Sequence, residues 1–278
     1  MIPFDVAYYR PSTIEEAVQL FSSLEAEGKR PLYYGGGTEF ITLARLGRTF
    51  ADAVIDLKSL PECRILSVTA HELTFGAALS LSTIEEANSF PLLTKAVREI
   101  ADRTARNQIT LGGNICGRIF YHEAVLPFLL ADSRVVIAGK EGISEQSIHE
   151  VFEQYMRLSP SQFLVQVKID AVYNKLPYVH TKRRQQGNTG YPLVTVAALK
   201  KDEKLRVAFS GVCPFPFRSL EVEERLNRKL PLDVRIANAI EALPSPVLDD
   251  IEGSANYRLF VLRHALLDVI TALEGESA

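Results

Sequence analysis

The residues best placed to do chemistry sit in two glycine-bearing segments. The first is Tyr33-Tyr34-Gly35-Gly36-Gly37-Thr38-Glu39-Phe40. Glycine has no Cβ, so backbone N–H groups there can approach a phosphate closely and adopt dihedrals that other residues avoid. A pyrophosphate would suit this loop, and a tight turn against a neighbouring strand is the competing reading. A Rossmann fingerprint is not met, because Gly35-x-Gly37-x-x-Phe40 lacks the third glycine needed for close helix packing. The second segment is Asn107-Gln108-Ile109-Thr110-Leu111-Gly112-Gly113-Asn114. A hydroxyl and a carboxamide flank its two glycines, so backbone and side chain together could bind phosphate and neighbouring oxygens; a turn ending a helix is the alternative. Lys182-Arg183-Arg184 is a small basic cluster, either a solvated surface feature or an anion contact. His71, His122, His149, His180 and His264 are scattered, no Ser–His or Cys–His set stands out, and no catalytic residue is assigned.

These segments need elements to hold them. Ser-Thr-Ile-Glu-Glu-Ala occurs at 12–17 and again at 82–87, each copy reading as a helix start with a hydroxyl cap and a Glu three residues on. After the first copy, Ile14, Ala17, Val18, Phe21 and Leu24 mark one apolar face, and Gly28 is placed to end the helix. A strand at about 31–35 then enters the first glycine loop. A buried-type strand is expected at 53–57 and a hairpin at 64–77 around Ala70-His71, while Leu92, Leu93, Ala96, Val97 and Ile100 mark a second helix face. Further helix is expected at 124–130 and a strand at 134–139. From about 160 strands dominate, at 163–169, 178–182, 193–200 and 205–210, followed by helices, with a boundary near 170. Ser254 is read as capping a last helix whose apolar positions include Tyr257, Val261, Ala265, Val269 and Leu273. The alternation indicates α+β lobes.

At 278 residues the chain exceeds the usual single-core size, so two or three lobes with a cleft between them are expected. A net charge of -3 without a long basic run argues against nucleic acid and anionic membrane as partners. No apolar stretch approaches the ~18 residues of a membrane span, and the N-terminus lacks a secretory pattern, so a cytoplasmic location is expected. Cys63, Cys116 and Cys213 are single and far apart, which fits neither a disulfide framework nor Cys-x-x-Cys metal pairs.

The Gly-Gly-Thr-Glu loop, the Thr-x-Gly-Gly-Asn segment and a C-terminal Ser-x-x-Tyr-Arg stretch at Ser254–Arg258 follow one another in an order that resembles the FAD-binding subunits of molybdenum hydroxylases. The opening Phe4-x-x-Tyr-Tyr-Arg-Pro-Ser-Thr-x-x-Glu-Ala is similar to that family's N-terminal segment too. The likeness covers nearly the whole chain and is nearest the bacterial xanthine dehydrogenase FAD-binding subunit, with the carbon monoxide dehydrogenase flavoprotein also similar. It implies an α+β, vanillyl-alcohol-oxidase-type (PCMH-like) fold: an FAD-binding domain at 1–170 with lobes of about 1–57 and 58–170, then a C-terminal domain at 171–278. It implies FAD as cofactor, with Tyr33–Phe40 wrapping the pyrophosphate and Asn107, Thr110, Gly112, Gly113 and Asn114 supporting its phosphate and ribityl side. Leu164 would pack on the cofactor and Lys182 would lie near its flavin or adenine end.

Two departures accompany the likeness. Gln186-Gly187 stands where relatives commonly have Arg-Arg, and Ile119-Phe120-Tyr121-His122-Glu123 stands for Ser-Pro-x-x-Asp. Glu123 thereby takes the ribityl-contacting Asp position, or else is a solvent-facing charge at a helix start. Phe120, Tyr121 and His122 either cover the flavin or pack in the core. The implied function in purine metabolism is electron transfer from a molybdenum-cofactor subunit, through a [2Fe-2S] subunit, to this FAD and on to NAD or another acceptor, within a hetero-oligomer. Rival readings are a stand-alone FAD oxidoreductase and a fold-retaining assembly or regulatory protein without FAD.

Overall fold

Short runs rich in β-branched and aromatic residues, separated by turn residues, become three sheets in the computed structural model, which describes residues 2–187 and 189–275. The first sheet is parallel, in the order β1 (Ala7–Tyr9), β3 (Ala53–Asp56), β2 (Pro31–Tyr34). Parallel neighbours need crossovers, and helices supply them. Helix α1 (Ile14–Ala26) links β1 to β2, and α2 (Thr38–Arg45) links β2 to β3. Thr13 caps α1 by accepting from Glu16 N at 3.1 Å, while Ile14, Ala17, Phe21 and Leu24 form its buried face. Gly28, at φ +76°, leaves the helix in the left-handed conformation that glycine adopts without a Cβ penalty.

The second sheet is antiparallel, in the order β4 (Leu66–Val68), β5 (Glu72–Gly76), β8 (Phe163–Asp170), β6 (Arg134–Gly139), β7 (Gly142–Ser147). Its central strand is buried on both faces, because side chains alternate along it and a register shift against β6, between Val136 and Ile137, carries Leu164 and Val167 to the same side. Phe163 and Val165 join α1 and the first sheet in one core, while Leu164 and Val167 join a second core built with the helices inserted between β5 and β6. Those helices are α3 (Leu81–Ala87), α4 (Pro91–Arg98), α5 (Arg103–Gln108), α6 (Leu111–Cys116) and α7 (Leu126–Leu130); α8 (Ile148–Val151) follows β7. The second Ser-Thr-Ile-Glu-Glu-Ala copy does not start a helix as its first copy does. Ser80 caps α3, accepting from Thr83 N at 3.1 Å, and Ser82 is buried inside it.

The third sheet runs β12 (Phe217–Arg218), β11 (Lys204–Ser210), β10 (Val194–Lys201), β9 (Tyr178–Arg183), all antiparallel. Helices α9 (Leu220–Leu226), α10 (Leu232–Glu241) and α11 (Ala255–Gly275) complete this part. Ser254 Oγ accepts from Tyr257 N at 3.3 Å, as its cap role requires. Ala265, Val269 and Leu273 are buried, but Tyr257 is exposed, because a four-residue spacing drifts off one face of a 3.6-residue helix. Arg258, wholly buried, donates to Leu193 O at 2.7 Å and Gly211 O at 2.6 Å and pairs with Asp250, so the Ser-x-x-Tyr-Arg segment ties α11 to the third sheet.

A polar clamp joins the second and third sheets. Asp132, at φ +46°, accepts from Arg218 at 2.6 Å, Tyr173 OH at 2.9 Å and Arg206, and meets His149 Nε2 at 3.1 Å. Burial alone would raise its carboxyl, but the His149 and Arg206 hydrogen bonds and the Arg218 charge hold it far below the usual carboxylate range. No helix among the described residues is long and apolar enough to cross a membrane.

Candidate functional site

A cleft of about 770 Å³ opens where the three sheets meet. Its floor begins at the C-terminal edge of the parallel sheet, the side on which open α/β sheets bind ligands. There β2 runs into Gly35–Gly37, and Gly37, at φ +72°, turns the chain into α2. The backbone N–H groups of Gly36, Gly37, Thr38, Glu39 and Phe40 have no acceptor among the described residues; the first intrahelical bond is Ile41 N to Gly37 O at 2.8 Å. A left-handed glycine followed by a helix N-terminus thus presents a row of free donors, a ready anion site.

The glycines have a second cause. A Cβ on Gly36 would lie 1.7 Å from Gln108 O, and one on Gly35 would lie 2.6 Å from Thr110 Oγ1. The two glycine segments therefore pack directly on each other, and glycine is required by protein backbone before any phosphate arrives.

Around this loop the side chains have divided duties. Tyr33 stacks on Phe21, meets Phe163 at a tilt of 51° and donates to Ser161 O at 3.2 Å, and burial pushes its phenol well up. Tyr34 meets Phe40 edge-on at 6.3 Å. The Glu39 carboxylate accepts from Arg118 N and Ile119 N, both at 2.9 Å, and so pins the altered 119–123 segment to the start of α2.

The Thr110–Asn114 segment departs from the expectation that its backbone would bind ligand. Leu111 N and Gly112 N donate to Leu79 O and Ala77 O, both at 2.8 Å, while Gly113 N donates to Thr110 Oγ1 and Asn114 N to Thr110 O. With the N–H groups of residues 111–114 consumed, the groups left free are Thr110 N–H, the Thr110 hydroxyl proton and the Asn114 amide N–H₂, since Asn114 Oδ1 already holds Ala124 N at 3.1 Å. Asn107 is exposed on α5 and does not line the cleft, because the helix turns it away from the segment's glycines. The other residues that the resemblance assigns to the cofactor, Tyr33–Phe40, Thr110, Gly112, Gly113, Asn114, Glu123, Leu164 and Lys182, do line it.

Glu123 is not a solvent-facing helix-start charge. Its side chain is 5% exposed, with Oε2 2.6 Å from Lys182 Nζ and Oε1 accepting from Thr195 Oγ1 at 2.8 Å. Lys182, 1% exposed, also donates to Glu99 O at 2.9 Å; burial lowers its ammonium pKa despite Glu123. The basic cluster is correspondingly not a solvated one, since Arg184 is 10% exposed and bonds the Glu99 carboxylate at 2.7 Å, leaving Arg183 as its exposed member.

Tyr121 and His122 both line the cleft, whereas Phe120 lines a smaller pocket beside it. His122 is buried, its pKa lowered by burial, and its Nδ1 lies 2.8 Å from Asn114 O. Tyr121 stacks on Tyr191 at 4.8 Å and 18°, forming an aromatic rim. Cys63 and Cys213 are buried thiols, and Cys116 lies at the cleft.

Sequence reasoning missed Asp56 and Lys58, directly behind the glycine loop. The available signal was an Asp at the end of a parallel strand, beside the strand that carries the glycines. It also missed Tyr191, whose ring reaches the cleft from the connection between β9 and β10. The arrangement suits an elongated ligand with an anionic middle on the donor row and a planar group between apolar and aromatic walls.

Comparisons agree with that shape. Residues 3–170 match the family described as FAD binding domain in molybdopterin dehydrogenase. The chain is 25% identical to the carbon monoxide dehydrogenase medium chain of Hydrogenophaga pseudoflava, over 93% of each chain. It is 23% identical to the xanthine dehydrogenase FAD-binding subunit of Escherichia coli O157:H7, over 92% of this chain and 89% of that one. The solved carbon monoxide dehydrogenase from Hydrogenophaga pseudoflava lacking the Mo-pyranopterin moiety has the same fold, with a TM-score of 0.87, 20% identity and 99% of each chain covered.

Proposed function

The chain belongs to the family of FAD binding domains in molybdopterin dehydrogenases, and from that premise we propose that it is the flavin-carrying electron-transfer subunit of a xanthine dehydrogenase-type molybdenum hydroxylase. The observation that carries this reading is the free donor row from Gly36 to Phe40 at the edge of the parallel sheet. Those donors fit the diphosphate of FAD, and the cleft's volume of about 770 Å³ and aromatic rim fit a dinucleotide with a planar ring.

Bound there, FAD would supply an isoalloxazine that exchanges one or two electrons or a hydride. The chain's own residues bind and orient. The Gly36–Phe40 amides would hold the phosphates, and the Thr110 hydroxyl and Asn114 amide would offer hydrogen bonds along the polyol. Lys182 and Glu123 fix the charge at the inner wall, and Leu164 supplies an apolar contact. No side chain is needed as nucleophile.

The electron donor in this reading is a partner pair, a molybdenum-cofactor subunit and a [2Fe-2S] subunit, with NAD as the acceptor. Two relatives are named as the medium chain or FAD-binding subunit of larger dehydrogenases, which supports a partnered role. The three cysteines are free and scattered, and no group of three or more potential metal-ligating side chains gathers among the described residues, so the metal relay is assigned to other chains.

The test begins with FAD-free protein. It should take up one FAD, and NADH should bleach the bound flavin under anaerobic conditions. Xanthine should be hydroxylated by the assembled complex and not by the isolated chain. Failure to take up FAD would favour a fold-retaining assembly protein, and xanthine turnover by the isolated, metal-free chain would overturn the subunit assignment.

A further inference from the structure

Behind the donor row lies a charged chain that spans the whole first sheet. Tyr8 OH, in β1, donates to Asp56 Oδ2 at the end of β3. Asp56, 3% exposed, accepts through Oδ1 from Lys58 N at 2.9 Å and from Lys58 Nζ at 2.8 Å. Lys58 Nζ in turn donates to Gly35 O, just past β2, at 2.7 Å, and lies 4.6 Å from the centre of the Tyr34 ring. Burial would raise the Asp56 carboxyl, but the hydrogen bonds from Lys58 and Tyr8 hold it below its ordinary value, so it is an anion.

We propose that Lys58 is the positioning residue of the diphosphate site: it orients the donor row through Gly35 O and cancels the buried Asp56 charge behind it. The proposal rests on the FAD reading above and names how that site tolerates an anion. Two physical facts carry it. In a trans peptide the C=O and the following N–H point in opposite directions, so turning Gly35 O onto Lys58 turns Gly36 N–H, the first member of the free row, the other way. An unpaired carboxylate behind the loop would also repel a diphosphate; the Lys58 ammonium, bonded to both the carboxylate and the loop, removes that repulsion.

The same geometry predicts selectivity. A ligand with a diphosphate feels Lys58, whereas a flavin without one does not. FAD-free wild-type protein and Lys58→Met, Lys58→Arg and Lys58→Met/Asp56→Asn variants would be titrated with FAD and with riboflavin, with circular dichroism as a check on folding. Lys58→Met should weaken FAD by about ten- to a hundred-fold, the scale of one charge-assisted hydrogen bond, and leave riboflavin affinity unchanged. Lys58→Arg should keep most of the FAD affinity, and the double variant should recover much of what Lys58→Met loses. ADP, as a competitor of FAD, should weaken in parallel with FAD. Should Lys58→Met fail to fold, Lys58→Gln and the ADP competition carry the same comparison. Equal FAD affinity in the neutral variants, or equal loss for FAD and riboflavin, would overturn the proposal; no FAD binding by wild type would instead overturn the flavin reading on which it rests.

Discussion

Replacing Glu123 by Ala in the FAD-free protein should destabilise the fold by about 3 to 4 kcal/mol. The change removes one partner of a buried ion pair whose side chains are 5% and 1% exposed, leaving the Lys182 ammonium with Glu99 O at 2.9 Å. Breaking such a pair costs roughly 3 to 5 kcal/mol, because the remaining charge stays desolvated. Lys182 can limit that cost by releasing its proton. At pH 7, about 3.4 units below an unfolded value near 10.4, release costs about 4.6 kcal/mol at ~1.36 per unit, which sets a ceiling. The pH dependence has a definite sign. In the variant, folded Lys182 binds its proton less tightly than unfolded Lys182, so the native state carries fewer protons and its deficit shrinks as pH rises from neutral toward 10. Urea unfolding followed by circular dichroism at pH 7 and pH 9 would measure both effects. Glu123→Leu with Lys182→Met, which removes both charges, should return to within about 1 kcal/mol of wild type. The Glu123→Ala variant should also lose about 1 to 3 kcal/mol of FAD affinity in a fluorescence titration. A stability loss at or below about 0.5 kcal/mol would refute the buried-pair argument, since a charge at an exposed helix start is worth only about 0.3 to 1 kcal/mol.

Other parts of the site give further expectations. Gly36→Ala should lower the stability of FAD-free protein by about 1 to 3 kcal/mol, because its Cβ meets Gln108 O at 1.7 Å; unchanged thermal unfolding would show that the two loops separate freely. Glu39→Ala frees Arg118 N and Ile119 N from their acceptor and should increase protease cutting near residue 118, with Glu39→Gln largely protecting the site; identical digestion patterns would remove Glu39 as the anchor. Asp132→Asn should cost about 1 to 2 kcal/mol at pH 7 after allowance for solvent screening. Since the folded Asp132 pKa is depressed, its contribution is present above the unfolded value near 3.9 and is lost as pH falls below it. Acid unfolding of the Asn variant should therefore be less steep below about pH 4, and parallel acid curves would contradict the clamp.

What could be read from the sequence was local. The strand at Arg134–Gly139 and the last helix follow from periodicity and capping, because a run of apolar residues or a Ser before a helix acts through near neighbours. The glycine segments were visible for the same reason. The errors concern partners far along the chain. Glu123 is buried because Lys182 and Thr195, on the third sheet, arrive to satisfy it, and no spacing around residue 123 encodes that meeting. Ser82 repeats the sequence of a helix start, yet Ser80 lies two residues earlier and takes the cap, so the hydroxyl of the repeat falls inside α3. Lys58 gave no signal because its meaning depends on which strand lies beside β3.

The accounting of backbone donors separates two segments that look alike in sequence. Both are glycine-rich, and both lead into a helix. In the Thr110–Asn114 segment the N–H groups of residues 111–114 are used by Ala77, Leu79 and Thr110, and Gly112 is small because a Cβ would stand 2.9 Å from Ala77 Cβ. In Gly36–Phe40 the donors remain free. A glycine motif is therefore not in itself a phosphate signal in this fold, since loop-on-loop packing would demand the same glycines in a relative that had lost its cofactor. Losing FAD would instead relax the residues that keep the donors open and the charge behind them balanced. The Asp56–Lys58 pair has structural duties too, since Asp56 caps the turn at Leu57–Ser59 and Lys58 ties Gly35 O, so the open donor row is the feature that loop packing alone does not demand.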